Sequence, residues 1–338
     1  MNFEDFQSIK QILSVPKKIT IVPHRNPDGD AYGSSLALYH YLLKFDHEVT
    51  VVSPNDCPDF LKWMPGEDQI VIYESDTKNA TKILEEAEII FTLDFNALHR
   101  VGEKMLQTLN KIDPLFIMID HHQQPDDFAK YTYVDPLVCS TCQMLYQFVD
   151  NLGHIDVIDK NIATCLYAGI LTDTGSFRFP ATTSETHRIV ANLLDKGANN
   201  SEIYNKIHNV SSYSRLQLLG TALQNMKVVE AYKTAYITLS QNELNKNNFK
   251  KGDTEGFVNY ALSLKNVIFA AIFIEDKKQG IIKISLRSVG DFSVNEFSRN
   301  HFNGGGHINA AGGRSEESLE KTIDKFLGIL PLYKNELQ

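Results

Sequence analysis

ITIVPHRNPDGDAYGSSLAL, residues 19–38, changes character half-way along. Ile19, Ile21 and Val22 make an apolar run of the kind that forms a buried strand, Asn26 and Pro27 signal a turn, and AYGSSLALYHYLLKF carries a helical pattern. His24, Asp28 and Asp30 fall within seven residues where the strand runs out, with Gly33 and Ser34 expected to let the next helix begin close to them. A strand, a polar tip and a helix in this order are the opening unit of an α/β fold.

The same unit recurs outward from this stretch. HEVTVVSP (47–54), AEIIFTLDF (87–95) and PLFIMIDHH (114–122) are further apolar runs separated by helix-like segments. Such runs between helices predict a mainly parallel sheet covered on both faces. Helical patterns follow around residues 139–153, 161–175 and 183–197, and the polar segment ANNSEIYNKIHNVSSYSR (198–215) breaks the rhythm. Beyond the helix RLQLLGTALQNMKV, the stretches KTAYITLS, NVIFAAIFIED and GIIKISLRSVG read as strands of a smaller mixed sheet, closed by the amphipathic helix SLEKTIDKFLGIL. The expected organisation is an α/β domain over residues 1–195, a linker and connecting helix over 196–225, and a smaller α/β domain over 226–338.

The chain has 338 residues, 43% of them hydrophobic, and a formal charge of -9. That charge argues against a protein that grips long duplex nucleic acid, which calls for a basic surface, while a small phosphorylated substrate is compatible with it. No apolar run reaches the roughly 18 residues of a membrane span, and MNFEDFQSIKQ carries acids where a signal peptide would carry positive charge. A cytoplasmic protein without a membrane partner is expected. Four cysteines, Cys57, Cys139, Cys142 and Cys165, are read as ordinary thiols, and the lone CSTC at 139–142 as packing rather than a redox or zinc motif.

Candidate ligands cluster at strand ends. Asp94 closes AEIIFTLD, Asp120, His121 and His122 close PLFIMIDHH, and Asp173 follows the apolar helix LYAGILTD. In an open parallel sheet the carboxyl ends of the strands face one crevice, so His24, Asp28, Asp30, Asp94 and the 120–122 run are expected to converge. Each residue alone has a bland reading: Asp28 in a turn, Asp30 as a helix N-cap, His121 as an interior histidine. Several carboxylates with two or three imidazoles suit Mn²⁺, Fe²⁺ or Zn²⁺ and exceed what one ion can use. Two ions are implied, and with them hydrolysis of a phosphate ester.

A second constellation, FNGGGHINAAGG (302–313), pairs Gly304, Gly305 and Gly306 with His307. The glycines would let backbone approach a ligand and point N–H groups at an anion, or would simply make a surface turn. Arg287, at the end of KISLRS, could supply a guanidinium fork for phosphate beside this loop.

These motifs together resemble the DHH phosphoesterases with a C-terminal DHHA1 domain, in the subgroup described as nanoRNase and pAp phosphatase. The resemblance rests on HRNPDGDAYGS (24–34), LDFNALHRVG (93–102), IDHH (119–122), GILTDTGSFRF (169–179) and GGGHINAAGG (304–313). It implies that His24 and Asp28 bind one ion, Asp30 and His121 the other, and that Asp94 and Asp173 bridge them, with Mn²⁺ the expected metal. It implies that His122 faces substrate or assists the leaving group, that Asp120 orients its neighbours, and that Arg287, Gly304, Gly305, Gly306 and His307 contact substrate phosphate. Arg100 matches the second motif, and an ion pair and a catalytic contact both stand open for it. The implied activity is hydrolysis of short 5'-phosphorylated oligoribonucleotides to nucleoside 5'-monophosphates, with pAp as a further substrate; a homodimer is compatible. Rival readings are a cyclic di-AMP or pApA phosphodiesterase, an exopolyphosphatase, and a catalytically silent nucleotide-binding module.

Overall fold

A computed structural model describes residues 1–337; Gln338, the last residue of the expected second domain, lies outside the described residues. The chain divides into two compact units after Val210. In the first unit the strands are β1 (Lys18–Pro23), β2 (Glu48–Ser53), β3 (Val71–Ile72), β4 (Ile89–Leu93), β5 (Leu115–Asp120) and β6 (Tyr131–Val134). All pair in parallel, in the order β3-β2-β1-β4-β5-β6. The order reverses between β1 and β4, and a reversal of this kind opens a crevice outside the strands' carboxyl ends.

Helices cover both faces of this sheet. They are α1 (Phe3–Ile12), α2 (Gly29–Leu43), α3 (Thr77–Glu86), α4 (Glu103–Leu109), α5 (Thr141–Asn151), α6 (Lys160–Asp173), α7 (Ser184–Asp195) and α8 (Asn200–His208). Alternating strand residues sort the two cores. Ile19, Ile21, Phe91, Ile117 and Ile119 pack with Leu36, Phe148 and Leu166 on one face, whereas Val22 and Ile90 pack with Leu84 and Met105 on the other. Burial on both faces is why these strands read as near-continuous apolar runs. Helix α2 starts at Gly29, two residues before the expected Ala31, because Asp28 caps it: Asp28 Oδ1 accepts from the amides of Asp30 and Ala31. The cap is therefore Asp28 and not Asp30.

The second unit opens with α9 (Tyr213–Gln224) and continues through β7 (Lys227–Val229), β8 (Thr234–Leu239), α10 (Gln241–Lys246), α11 (Phe257–Leu262), β9 (Phe269–Asp276), β10 (Ile281–Ser288), α12 (Val294–His301), β11 (Gly305–Gly306), β12 (Ala310–Ser315) and α13 (Leu319–Ile329). Its sheet runs β11-β12-β10-β9-β8-β7, antiparallel throughout except for the parallel pair β8 and β9. The segment 196–225 holds two helices with separate allegiances. Ile203 and Ile207 of α8 join the first core, while Leu218 and Ala222 of α9 pack on the second sheet. Residues 302–313, expected as a loop, contribute strands: Arg287 sits opposite Ala310, and Gly305 and Gly306 pair with Gly312 and Ala311.

Candidate metal centre

Three adjacent strands of the first sheet each end in a candidate ligand. β1 delivers His24, β4 delivers Asp94 and β5 delivers Asp120, His121 and His122. The start of α2 adds Asp28 and Asp30, and the end of α6 adds Asp173. Asp94 holds a left-handed backbone, φ 65°, a conformation that costs a non-glycine residue roughly 1 kcal/mol or more and is maintained only where its surroundings enforce it.

The side chains meet around Asp94. One carboxylate oxygen, Oδ2, lies 3.4 Å from His24 Nε2, and the other, Oδ1, lies 3.5 Å from His121 Nε2. His24 Nε2 is also 4.0 Å from Asp28 Oδ2, and His121 Nε2 is 3.4 Å from Asp173 Oδ2 and 3.8 Å from Asp30 Oδ2. Two overlapping triads result, His24-Asp28-Asp94 and Asp30-Asp94-His121, with Asp94 common to both.

The histidine tautomers decide what such clusters can hold. His24 Nδ1 lies 2.9 Å from the carbonyl of Arg25, and His121 Nδ1 lies 3.1 Å from the carbonyl of Val138. A carbonyl only accepts, so each Nδ1 must carry a hydrogen, and a neutral ring then presents a bare lone pair at Nε2. Those lone pairs face carboxylate oxygens, which are also acceptors. Acceptor facing acceptor at 3.4 to 3.5 Å calls for a cation between them, and imidazole nitrogen with carboxylate oxygen is a donor set that suits a divalent transition metal.

The electrostatics show an excess of negative charge that bound protons or a metal ion must offset. Burial pushes the Asp94 carboxyl well above its ordinary range, and repulsion from Asp30, Asp28, Asp120 and Asp173 adds to the effect. Asp30 is raised too, first by burial. Burial works against a charge on His121, but Asp173, Asp30 and Asp120 outweigh it and raise its pKa above the usual histidine value. Asp120 behaves differently. It is wholly buried, yet the hydrogen bond from His122 Nδ1 to Asp120 Oδ1, 2.7 Å, and the charge of that imidazole hold its carboxyl below the usual range.

In the second unit the glycine hairpin is packed tightly on α12. A side chain at Gly304 would strike the carbonyl of Gly312 and the hydroxyl of Ser298, and one at Gly313 would lie 2.8 Å from that hydroxyl. The amide of Gly306 donates to Asn295 Oδ1 at 2.9 Å, and that of His307 to the carbonyl of Ala310 at 2.7 Å. The first of these N–H groups ties the hairpin to α12 and the second closes the hairpin on itself. Arg287 Nη1 donates to the carbonyl of Leu286 at 2.9 Å.

Comparison with known proteins agrees with this arrangement. The sequence matches the DHH family, N-terminal domain, over residues 18–170 and the DHHA1 domain over residues 231–330. It is 30% identical over 312 residues, 92% of this chain and 88% of the relative, to the bifunctional oligoribonuclease and PAP phosphatase NrnA of Thermus thermophilus. The chain belongs to the DHH family. A second NrnA, from Bacillus subtilis, is 26% identical over 87% of this chain and 88% of its own length. The crystal structure of an exopolyphosphatase-related protein from Bacteroides fragilis superimposes with a TM-score of 0.95 at 42% identity, covering 99% of this chain and 98% of that one. As a DHH-family member the protein is a metal-dependent hydrolase of phosphate esters. Among its described residues no helix is long and apolar enough to cross a membrane.

Further residues build this DHH centre through backbone groups and close packing. The α5 N-terminus supplies three donors: the Thr141 amide to Asp30 Oδ2 at 2.6 Å, the Cys142 amide to Asp30 Oδ1 at 2.9 Å, and the Thr141 hydroxyl to Asp94 Oδ1 at 2.9 Å. The segment that carries them is CSTC, whose cysteines are buried free thiols and whose contribution is made by its backbone and its threonine. Gly33 and Gly169 close the seam between α2 and α6. A Cβ at Gly33 would lie 2.6 Å from the carbonyl of Cys165, and one at Gly169 would strike Cys142 Sγ and come within 2.9 Å of Asp30 Oδ1. Only glycine lets the helix carrying Asp30 lie close enough to the helix carrying Asp173. Arg100 makes no ion pair among the described residues, which removes one of its two open readings.

Proposed function

We propose that this protein hydrolyses short 5'-phosphorylated oligoribonucleotides and pAp at one two-metal centre. The observation that carries this is the pair of histidines, His24 and His121, whose Nε2 lone pairs face the shared carboxylate of Asp94. The NrnA relatives name the substrate class. The bond chemistry explains why one centre can serve both substrates. In pApA and in pAp alike, the bond broken joins phosphorus to a ribose 3' oxygen. Water adds to phosphorus, the 3' oxygen departs and takes up a proton, and AMP is released in both reactions, twice from pApA and once with inorganic phosphate from pAp.

His24, Asp28 and Asp94 would hold one ion, and Asp30, His121, Asp94 and Asp173 the other. Bound there, the ions would lower the pKa of water and neutralise charge on the phosphate. The chain's own residues do the rest. The carbonyls of Arg25 and Val138 fix the two imidazole tautomers, and the α5 amides keep Asp30 aimed inward. His122, fixed through Nδ1 by Asp120, would donate a proton from Nε2 to the departing 3' oxygen. In the second unit Arg287 and His307 would bind substrate phosphate, with the glycines of 304–306 shaping the hairpin that carries His307. Two ions, Mn²⁺ as their identity, a homodimer and a cytoplasmic location belong to the same proposal.

The test is a product analysis of the purified protein with Mn²⁺, offered pApA, pAp, cyclic di-AMP and polyphosphate, with a chelator control. Metal-dependent release of AMP from pApA and pAp is expected. Consumption of polyphosphate or cyclic di-AMP with neither of these cleaved would move the function to a rival substrate class.

A further inference from the structure

Two arginines stand at the carboxyl end of β1, and they are treated differently. Arg25 is neutralised: its guanidinium lies 2.7 Å from Glu74. Arg100 is held beside it by backbone, since the amide of Arg25 donates to the carbonyl of Arg100 at 2.8 Å, in the short 3-10 turn Leu98–Val101 that follows Asp94. The turn is pressed onto this strand end through Gly102, φ 87°, where an added Cβ would come within 3.1 Å of the Arg25 side chain. Arg100 is half-buried, yet no carboxylate among the described residues pairs with it, and its backbone contact is with the residue that follows His24. A guanidinium partly withdrawn from water, denied an acid and set beside metal-ligating side chains needs an anion from elsewhere.

We infer that Arg100 binds non-bridging oxygens of the substrate's scissile phosphate, on the His24 side of the centre. This assignment rests on the phosphoesterase reading above. It places the fork where charge grows as water adds to phosphorus, so its effect falls on turnover more than on substrate affinity. A planar fork reaches two phosphate oxygens, which an ammonium cannot do with the same geometry.

Arg100→Gln and Arg100→Lys test the inference with three readouts: Mn²⁺ binding by calorimetry, inorganic phosphate binding to the Mn²⁺-loaded protein, and kcat and KM for pApA and pAp. The expected result for R100Q is Mn²⁺ affinity within about twofold of the parent, phosphate binding weakened about tenfold, and kcat lowered about 100-fold on both substrates with a smaller change in KM. R100K should recover part of the turnover. A kcat within threefold of the parent, or loss of Mn²⁺ binding in step with activity, would overturn it. Should R100Q fail to fold, R100K carries the test, because it keeps the charge and loses the fork; parental turnover in R100K would then overturn the inference. If the parent protein cleaves neither substrate, the functional reading fails, and the phosphate-binding comparison still decides the role of Arg100.

Discussion

The α2–α6 seam of the first unit and the glycine hairpin of the second use the same device for different ends. At Gly33 and Gly169, missing side chains draw two helices together until Asp30 and Asp173 both lie against His121. At Gly304 and Gly313 they draw a hairpin onto α12. At the centre that this seam borders, acceptors are left facing acceptors and buried carboxyls repel one another. In the hairpin, the amide of Gly306 finds its partner on α12, in Asn295, and that of His307 within the motif, in Ala310. A glycine cluster therefore says that backbone comes close to something. Whether a ligand is required follows from the balance of donors and acceptors around it.

The hardest way to break this contrast is to remove its centre. Asp94→Asn should lower pApA turnover about 1000-fold and abolish tight Mn²⁺ binding at both triads, measured by calorimetry. Near-normal turnover would mean that the cluster is not the reaction centre. Next come two matched substitutions. Gly169→Ala and Gly304→Ala each force a methyl group against packed atoms and should each destabilise the protein by about 2 kcal/mol in denaturant unfolding. Only Gly169→Ala should weaken Mn²⁺ binding, because only there does the intruding Cβ meet Asp30. Equal effects on the metal from both would erase the distinction.

The outline of the fold was readable because its physical causes are local. The apolar runs at 19–22, 89–93 and 115–119 are near-continuous, since both faces of the sheet are covered, and His24, Asp94 and Asp120 announce the strand ends. The short strands β3, β6, β7 and β11 gave no such signal; two to four residues carry no period, and their pairing is imposed by neighbours. The hairpin at 302–313 read as a loop because glycine has little strand propensity, and only the register with β10 makes it a strand. Nothing in the sequence marks Thr141, because its work is done by a backbone amide and a hydroxyl, which no spacing rule picks out. Gly33 has the sequence context of a helix opener; its actual partner, the carbonyl of Cys165, is 132 positions away along the chain and becomes a neighbour only after folding.

The pH dependence of the metal-free protein sharpens the contrast from the side of stability. Asp94 and His121 both have folded pKa values above their unfolded ones. A raised folded pKa contributes stability that is complete below the unfolded value and is lost as pH rises through the folded value. In chelator, melting temperature should therefore fall as pH is raised from about 5 to about 8, and added Mn²⁺ should restore more at the upper end than at the lower. His24 and Asp120 act in the opposite sense: His24, whose pKa burial lowers, offsets part of this fall near the usual histidine value, and Asp120, also lowered, loses its contribution only in acid below the usual carboxylate range. Asp94→Asn should flatten the alkaline limb, whereas Gly304→Ala should shift the whole curve down without changing its shape. A metal-free protein whose stability ignores this pH range would show that the buried acceptors are reconciled by something other than a cation.

The smallest expected effect probes how the seam is aimed. The Thr141 hydroxyl donates to Asp94 Oδ1, the same oxygen that faces His121, so it helps choose which lone pair of that carboxylate points to the ion. Thr141→Val deletes this donor while keeping the shape of the side chain and the backbone amide that holds Asp30. Mn²⁺ affinity should fall about tenfold, the order of effect seen when a hydrogen bond to a metal ligand is removed, and Thr141→Ser should recover it. An unchanged affinity in Thr141→Val would mean that the backbone just beyond β4, held at φ 65° at Asp94, orients that side chain by itself.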